Sequence, residues 1–237
     1  GTATGGGTDY TTPPTFSNGV TLALGILTVP AGVTSFTITT PTTLDTIDEG
    51  ASENYNLTVG GVAAVGTITD DDSAPSISTV SSNSATEASN IVHTVTLSNA
   101  SSVATSYALS FTDVSATGGG TDYTSVLTNA AFSNGVTILG GTITVPAGVT
   151  SFTVSVPTTA DSIDEINETY TLTVGGVNGT GTINDDDAAP TIQSVTSDTQ
   201  IEGTNLVHTV TLSNPSSSVT SFAYTQGGGT ASGGGVD

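Results

Sequence analysis

The chain has 237 residues, of which 21 are acidic and none is lysine or arginine, so its formal net charge at pH 7 is −21. Nucleic-acid phosphates and anionic membrane surfaces bind basic side chains, and the composition therefore argues against both partners. The sequence has no cysteine, which excludes disulfides and thiolate metal sites. No apolar run approaches the length of a membrane span, so we expect no membrane insertion within this segment.

An internal repeat of about 115 residues organises the sequence. The run VHTVTLSN stands at 92–99 and again at 207–214, and VPAGVTSFT stands at 29–37 and again at 145–153. The repeat predicts three sections: the C-terminal part of a first repeat at 1–72, a complete repeat at 73–187, and the N-terminal part of a third repeat at 188–237.

The incomplete repeats at the two ends overlap, because GTATGGGTD at 1–9 matches GTASGGGVD at 229–237. The sequence has no initial methionine and no signal-peptide pattern, so we expect a segment of a longer protein. The favoured interpretation is a piece of a continuous array. The alternative is a head-to-tail polymer in which residues 191–237 of one copy complete residues 1–72 of the next by strand exchange.

Alternation of β-branched and polar residues predicts seven short strands in the complete repeat and no amphipathic helix. The predicted strands are Ser76–Val80, Ile91–Ser98, Thr105–Phe111, Thr142–Val145, Val149–Val156, Thr169–Val174 and Gly179–Asn184. In the sixth strand, Tyr170, Leu172 and Val174 fall on one face. Pro146–Gly148 is typical of a tight turn. The expected fold class is all-β, with an antiparallel sandwich in each repeat.

The acidic residues recur at equivalent positions of the repeat. Asp113 and Asp198 are the exceptions; the matched sets are Asp9, Asp122 and Asp237; Asp45 and Asp161; Asp48 and Asp164; Glu49 and Glu165; Glu53 and Glu168; Glu87 and Glu202; and the triplets Asp70–Asp72 and Asp185–Asp187. Acid that served only solubility would scatter over the exposed loops. Its concentration at a few recurring loop positions indicates a specific site.

The aspartate triplets end a strand and precede a proline, in GTITDDDSAP at 66–75 and GTINDDDAAP at 181–190. Two carboxylates about 4 Å apart repel by about 1 kcal/mol in water and about 4 kcal/mol near a protein surface. The chain has no lysine or arginine to offset this repulsion, and its two histidines are mostly neutral at pH 7. We infer that an external cation binds where one repeat meets the next.

Sandwich topology brings three acidic segments of the complete repeat to one pole: Glu87, the loop Asp161–Glu165 and the triplet Asp185–Asp187. A set of carboxylate oxygens without nitrogen or sulfur ligands favours Ca²⁺, which accepts six to eight oxygens in flexible geometry, over Mg²⁺ with its strict octahedron. The competing interpretation is that the acidic runs are solvated linkers that cap strand ends and keep the chain soluble.

The sequence resembles the Calx-β domain family over essentially its whole length. The resemblance is carried in order by GTATGGGTDY, ITVPAGVTSFTVSVP, ADSIDEINETYTLTV and GTINDDD. It implies tandem immunoglobulin-like sandwiches with calcium at the pole where one domain joins the next.

The resemblance also implies a ligand set. In the complete repeat it falls on Glu87, Asp122, Asp161, Glu165, Asp185, Asp186 and Asp187; in the preceding repeat it falls on Asp9, Asp45, Glu49, Asp70, Asp71 and Asp72. Asp48 and Asp164 are additional acids that we include as candidates. Glu53 and Glu168 match the family's acid before the sixth strand, where a structural and a ligand role are equally open.

Two departures from the family pattern limit this expectation. The stretch Thr124–Gly141 is longer than the family usually has, and the acidic loop carries fewer aspartates than the strongest calcium sensors of the family. We therefore expect one or two ions at each junction.

Other chemistry-bearing residues favour structural roles. His93 and His208 occupy equivalent strand positions without other metal donors nearby, so packed or surface histidines are expected. The serine-rich sequence lacks a G-x-S-x-G elbow, and the glycine runs lack the helix and lysine of a phosphate loop. We expect no enzyme and no catalytic residues.

The sequence predicts an extracellular or cell-surface array of structural or adhesive repeats, made rigid by Ca²⁺ at the junctions into a rod or filament. Its expected partners are neighbouring repeats or copies of the same chain, with a possible host or surface ligand elsewhere in the parent protein. The rival interpretations are a sugar- or protein-binding adhesion module, an intracellular calcium sensor and the strand-exchanged polymer.

Overall fold

The computed structural model describes residues 1–231; the remaining residues, including Asp237 and the end of the third section, lie outside the described residues. The described chain is all-β and contains one 3₁₀ turn but no α-helix, as expected from the absence of a 3.6-residue apolar period. None of its described residues forms a helix with the length and apolarity needed to cross a bilayer.

Residues 1–72 form short paired strands. The antiparallel pairs are β1 (Thr15–Phe16) with β4 (Ile38–Thr39), β2 (Thr21–Ala23) with β3 (Ile26–Thr28), and β6 (Glu53–Val59) with β7 (Val62–Ile68). The remaining strand of this section, β5 (Ile47–Asp48), pairs with a strand of the complete repeat, so the two sections are joined by backbone hydrogen bonding.

The complete repeat is built from ten strands. They are β8 (Ile77–Val80), β9 (Asn83–Thr86), β10 (Asn90–Leu97), β11 (Ala100–Ser101), β12 (Thr105–Asp113), β13 (Thr137–Leu139), β14 (Thr142–Val145), β15 (Ser151–Pro157), β16 (Glu168–Val174) and β17 (Val177–Asn184), with a 3₁₀ turn at Asn129–Ala131. One sheet has the order β15-β10-β8, and the other has the order β13-β14-β12-β16-β17-β9. The buried residues of both sheets form a single core.

All seven predicted strands are present; Thr142–Val145 has the predicted bounds, and no end of the other six is shifted by more than two residues. The expectation of a wholly antiparallel sandwich is corrected at two places: β9 runs parallel to β17, and β11 runs parallel to β5. Sequence patterns do not predict β9, β11 and β13 because these strands are only two to four residues long; β9 and β11 also pair with strands distant in sequence. The long stretch Thr124–Gly141 contains the 3₁₀ turn and β13, which pairs with β14 at the sheet edge.

Alternation in β16 buries one face, as predicted. Tyr170, Leu172 and Val174 are fully buried, whereas the residues between them are half-buried. Across the ladder, Gly181 pairs with Tyr170, and a Cβ atom at Gly181 would overlap the tyrosine ring. Gly66 stands in the same relation to Tyr55. Each repeat therefore needs glycine in its last strand to admit the tyrosine.

Burial differs sharply between the complete repeat and the flanking sections. Val95 is fully buried, but its counterpart Val210 is 53% exposed; Val80 is 7% exposed, and its counterpart Val195 is 59% exposed. The strands β18 (Ile192–Val195) and β19 (Val210–Leu212) pair with each other but lack the second layer that covers β8 and β10. The packed core of the described chain therefore belongs to the complete repeat.

A hydrogen-bonded His–Tyr pair lies inside this core. His93 is fully buried, with Nδ1 2.7 Å from the carbonyl oxygen of Ser81 and Nε2 2.9 Å from the hydroxyl of Tyr170. Because a carbonyl only accepts, Nδ1 carries the proton and Nε2 accepts from Tyr170. Burial lowers the pKa of His93, and the Ser81 bond opposes this effect. The expectation of a packed histidine is confirmed for His93.

Candidate metal centre

A first acidic cluster forms at one pole of the complete repeat. Glu87 follows β9, Asp161 lies in the loop between β15 and β16, and Asp187 follows β17. One carboxylate oxygen from each lies within 4.8 Å of the others. The topology brings these segments together because β9 and β17 run parallel and end at the same pole.

The backbone holds this first cluster in place. The amide of Asp161 donates to Oε2 of Glu87 at 3.3 Å, and the amide of Ile163 donates to Oδ1 of Asp161 at 2.7 Å. Asp185 accepts from the amide of Asp187 at 3.4 Å, which bends the triplet back on itself. These bonds use some of the carboxylate lone pairs and leave others free to accept.

One oxygen of the first cluster has no partner. Oδ2 of Asp187 is shielded from solvent, and no donor reaches it within the described residues. A shielded carboxylate oxygen without a donor is unfavourable unless a cation or a hydrogen bond compensates it. The pKa of Asp187 is raised by burial and then by Asp185 and Asp186. A cation bound at this oxygen would compensate its charge and supply the partner that it lacks.

A second acidic cluster joins Asp122, Glu165 and Glu168, whose carboxylate oxygens also lie within 4.8 Å of one another. Glu168 is the first residue of β16, and Asp122 follows the glycine-rich turn after β12. Burial, followed by the charge and hydrogen bond of Asp122, raises the pKa of Glu168 to about 7. The pKa of Glu165 is also raised, by burial and by the charges of Asp161 and Asp122.

The preceding repeat carries the same arrangement. A cavity of about 30 Å³ is lined by the carboxylates of Asp9, Asp45, Glu49, Glu53 and Asp70. That volume is about the share of one water molecule in the liquid, which suits a single small ion or water. Burial, then Asp45 and Asp70, raises the pKa of Glu49 to about 7. The triplet Asp70–Asp72 forms a further group of close carboxylates.

The candidate residues fall into three classes: acids grouped in a cluster or around the small cavity, the remaining members of the aspartate triplets, and acids that bind serine. The structure groups Glu87, Asp161, Asp187, Asp122 and Glu165, and it groups Asp9, Asp45, Glu49 and Asp70 around the small cavity. Asp71 and Asp186 are the exposed members of their triplets, Asp72 is half-buried beside Asp71, and Asp185 binds the amide of Asp187.

Two candidates bind serine. Oδ2 of Asp48 accepts from Ser101 at 2.9 Å, and Oδ2 of Asp164 accepts from Ser216 at 2.7 Å. Both acids lie outside the acidic clusters. Each contacts the section that follows its own section in the chain. The sequence analysis named neither serine, because the pairs are separated by more than 50 residues.

Sequence reasoning left open whether Glu53 and Glu168 had a ligand or a structural role. The structure places Glu168 in the second cluster and Glu53 at the cavity of the preceding repeat. The unmatched acid Asp113 has a different partner, since it accepts from the hydroxyl of Tyr123 at 2.6 Å. Asp113 lies in no described cluster, but neither do the repeated acids Asp48 and Asp164, so repetition alone does not identify the clustered acids.

The donor set of the described clusters consists of oxygens alone. His93 is committed to Ser81 and Tyr170 in the core, and no nitrogen or sulfur side chain joins either cluster of the complete repeat. Oxygen donors suit Ca²⁺ or Mg²⁺ and disfavour metals that select imidazole or thiolate. The residues therefore fit the expected calcium ion by donor type and by their uncompensated charge.

Comparison with protein-family models and with curated proteins gives no match to this chain.

Proposed function

We propose that this chain is part of an extracellular array of Calx-β-like, immunoglobulin-like sandwich repeats whose junctions bind Ca²⁺. The array acts as a rod that spaces or presents other parts of a surface protein, without enzymatic activity. The observation that carries the proposal is the shielded Oδ2 of Asp187, which lacks a donor within the described chain and lies in a cluster with Glu87 and Asp161.

The charge distribution supports a cation at this pole. The first and second clusters of the complete repeat hold five carboxylates besides Asp187, and the chain contains no lysine or arginine that could neutralise them. Calcium tolerates irregular coordination by six to eight oxygens, including backbone carbonyls and water, whereas Mg²⁺ requires a near-ideal octahedron. The irregular, partly exposed clusters therefore favour Ca²⁺. In the bound state Glu87, Asp161 and Asp187 would hold the ion.

The position of the first cluster supports a role at the junction. Asp187 is followed directly by Ala188, whose carbonyl accepts from Asn214 of the third section at 2.9 Å. The loop that carries Asp161 also carries Asp164, which contacts Ser216 of the third section. A cation that draws Glu87, Asp161 and Asp187 together would therefore fix both chain segments that lead into the next repeat.

The test is calcium removal. In excess chelator, the melting temperature of the full chain is expected to fall, because carboxylate repulsion is no longer offset, and scattering is expected to show a more flexible molecule. Calcium should restore both properties, and isothermal titration should show saturable binding. Unchanged melting and scattering, together with no binding heat, would exclude the calcium rod.

A matched pair of variants locates the site. Glu87→Gln removes one carboxylate of the first cluster and is expected to weaken calcium binding by about tenfold or more. Its repeat equivalent Glu202 belongs to none of the described clusters, so Glu202→Gln should leave the titration of the complete repeat unchanged. Equal effects of the two variants would indicate general charge attraction without a defined site.

A specific observation also favours the strand-exchanged polymer as a second candidate. The faces left uncovered on residues 1–72 and 188–231 carry the residues whose counterparts bury one another in the complete repeat. Val210, for example, corresponds to Val95, which pairs with Phe152; the counterpart of Phe152 is Phe36, which is only half-covered. In this candidate, residues 191–237 of a second copy would cover this face on residues 1–72.

Sedimentation tests the polymer directly. The molecular mass of the full chain is expected to increase with concentration as copies add head to tail. A chain that lacks residues 188–237 can still accept a third section but has none to donate, so it should stop the growth of the polymer when mixed with the full chain. A monomer at all concentrations would exclude strand exchange while leaving the calcium rod untouched.

The ligand-binding alternative has weaker support. A groove of about 480 Å³ in the complete repeat is lined mainly by aliphatic side chains and glycine, with Phe111 as its aromatic residue. It holds no acidic residue and lies on strands distinct from those that carry the clusters. Specific sugar binding usually requires convergent polar groups, so this groove does not favour an adhesion pocket.

A further inference from the structure

Contacts between consecutive sections recur with the same chemistry at both junctions. At the first junction, the hydroxyl of Ser101 lies 2.9 Å from Oδ2 and 3.1 Å from the carbonyl oxygen of Asp48. At the second junction, the hydroxyl of Ser216 lies 2.7 Å from Oδ2 and 3.1 Å from the carbonyl oxygen of Asp164. The same serine position therefore binds the same aspartate position in two separate places.

The backbone repeats the pattern. The amide of Ser102 donates to the carbonyl of Asp48 at 2.8 Å, and the amide of Ser217 donates to the carbonyl of Asp164 at 3.0 Å. These bonds produce the two-residue parallel pairing of β5 with β11 and the single parallel bridge between Asp164 and Ser216. Each acidic loop thus pairs in parallel with the repeat that follows it, as a two-residue strand at the first junction and as a single bridge at the second.

An asparagine holds the start of the following section at each junction. Nδ2 of Asn99 donates to the carbonyl of Ser73 at 2.9 Å, and Nδ2 of Asn214 donates to the carbonyl of Ala188 at 2.9 Å. Both asparagines end the repeated run VHTVTLSN. Each asparagine therefore fixes the first residue of its own section, two positions away from the serine that binds the acidic loop of the preceding repeat.

The first junction is well shielded. Asp48 is 7% exposed and Ser101 is 4% exposed, although neither is apolar. The backbone of Ser101 is in turn fixed by its own repeat, because its carbonyl accepts from the amide of Gly148 in the turn between β14 and β15 at 2.8 Å. A shielded carboxylate that has a hydroxyl partner forms a stronger and more directional contact than an exposed one.

We propose that Asp48 with Ser101, and Asp164 with Ser216, form an inter-repeat latch that sets the orientation of consecutive repeats without a metal ion. Asn99 and Asn214 complete the latch by holding the linker. The partner surface is a second repeat of the same sequence pattern. The latch assigns Asp48 and Asp164 a hydrogen-bonding role in place of the ligand role first considered for them. Because the contact contains no ion, this proposal does not depend on calcium binding.

The first junction can be tested with distance measurements in chelator. The chain has no cysteine, so Thr58→Cys in the first section and Ser110→Cys in the complete repeat, both at exposed strand positions, accept spin labels specifically. Ser101→Ala and Asp48→Ala are expected to broaden the distance distribution by about twofold or more, since each removes the side-chain half of the latch. Circular dichroism and melting of the complete repeat verify that it remains folded.

Two further variants make the test discriminating. Asp48→Asn keeps an oxygen that can accept from Ser101 and should retain the parent's distance distribution. Ser106→Ala changes an exposed strand serine that makes no side-chain hydrogen bond in the described chain, and it should have no effect. The latch is overturned if Asp48→Ala and Ser101→Ala keep the parent distribution, if Asp48→Asn broadens it as much as Asp48→Ala, or if Ser106→Ala broadens it equally.

Discussion

At the residue scale, burial shifts the pKa values of Glu168 and His93, two residues of the complete repeat, in opposite directions. Glu168 lies among acids and is shielded, which raises its pKa to about 7. His93 lies in the core with both ring nitrogens bonded, and burial lowers its pKa. A bound proton or cation would stabilise Glu168 in these surroundings. His93 remains neutral and serves only as a hydrogen-bonding group.

The raised pKa of Glu168 predicts how pH affects the metal-free protein. Between its ordinary value of 4.5 and about 7, the folded state holds a proton that the unfolded state has released, so stability is lost as pH rises through about 7. Glu168→Gln should flatten this loss and raise the melting temperature in chelator at about pH 8, measured by calorimetry. The lowered pKa of His93 removes stability only below its ordinary value of 6.5, so the series is run above that pH.

The same variant has the opposite effect once calcium is present. Glu168→Gln removes a carboxylate from the second cluster, so the melting temperature gained on adding calcium should shrink. If Glu168→Gln keeps the parent's full pH slope in chelator, Glu168 does not hold the proton that the folded state retains above pH 4.5.

The bond between Tyr170 and His93 makes a second prediction. Tyr170→Phe leaves Nε2 of His93 buried without a donor and should lower the free energy of unfolding by about 1–3 kcal/mol. Denaturant unfolding measures the change. Tyr55 occupies the equivalent position in the first section, where it is half-buried and makes no side-chain hydrogen bond within the described residues. Tyr55→Phe is therefore the control and should cost much less.

At the scale of the element, two closely similar strands contribute differently to stability because different surfaces cover them. β16 and β6 share the alternation of tyrosine, leucine and valine, and each pairs with the strand that follows it in register. Leu172 is fully buried, whereas its counterpart Leu57 is half-buried. The local sequence makes both strands, but the second layer of the sandwich determines how much apolar surface each one removes from water.

This difference predicts unequal costs for equal substitutions. Leu172→Ala should lower the free energy of unfolding of the complete repeat by about 2–5 kcal/mol, because it leaves a cavity in a closed core. Leu57→Ala should lower the free energy of unfolding of the first section by less than about 1 kcal/mol, since the site of Leu57 already borders solvent. Chemical denaturation of the full chain compares the two; equal losses would mean that the first section is covered in solution, as strand exchange requires.

At the scale of the whole molecule, the charge of −21 is not spread evenly. The acids gather at the pole of each repeat and at the linkers, while the strand faces of the complete repeat carry mainly serine, threonine and apolar residues. Each junction therefore combines like-charge repulsion with a set of fixed hydrogen bonds. An ion and the latch would act on the same loop, because Asp161 and Asp164 lie three residues apart and have different partners.

The effect of monovalent salt on the melting temperature should measure how much of the carboxylate repulsion is uncompensated. In chelator, sodium chloride at about 0.5 M shortens the screening length to below about 5 Å and should raise the melting temperature by a few degrees. In saturating calcium the same salt should have a smaller effect, because the clustered charges are already compensated. A salt effect of the same size in both conditions would place the main repulsion outside the clusters.

The sequence by itself determined the period of the repeat, the all-β class, the seven main strands and the buried face of β16. It also determined that the acids recur in register, since composition, alternation and repetition are properties of the chain. It indicated that Glu87, the loop beginning at Asp161 and the last triplet share one pole. These results need only local pattern and general sandwich topology.

Only the tertiary structure decided which side chains meet. The amide of Asp161 reaches Glu87 across 74 residues, and Ser101 reaches Asp48 across 53 residues. No local signal distinguishes an aspartate that joins an acidic cluster from one that binds a serine, because both stand in loops of nearly the same composition. The distinction follows from the parallel pairing of β9 with β17 and of β5 with β11, which depends on contacts distant in sequence.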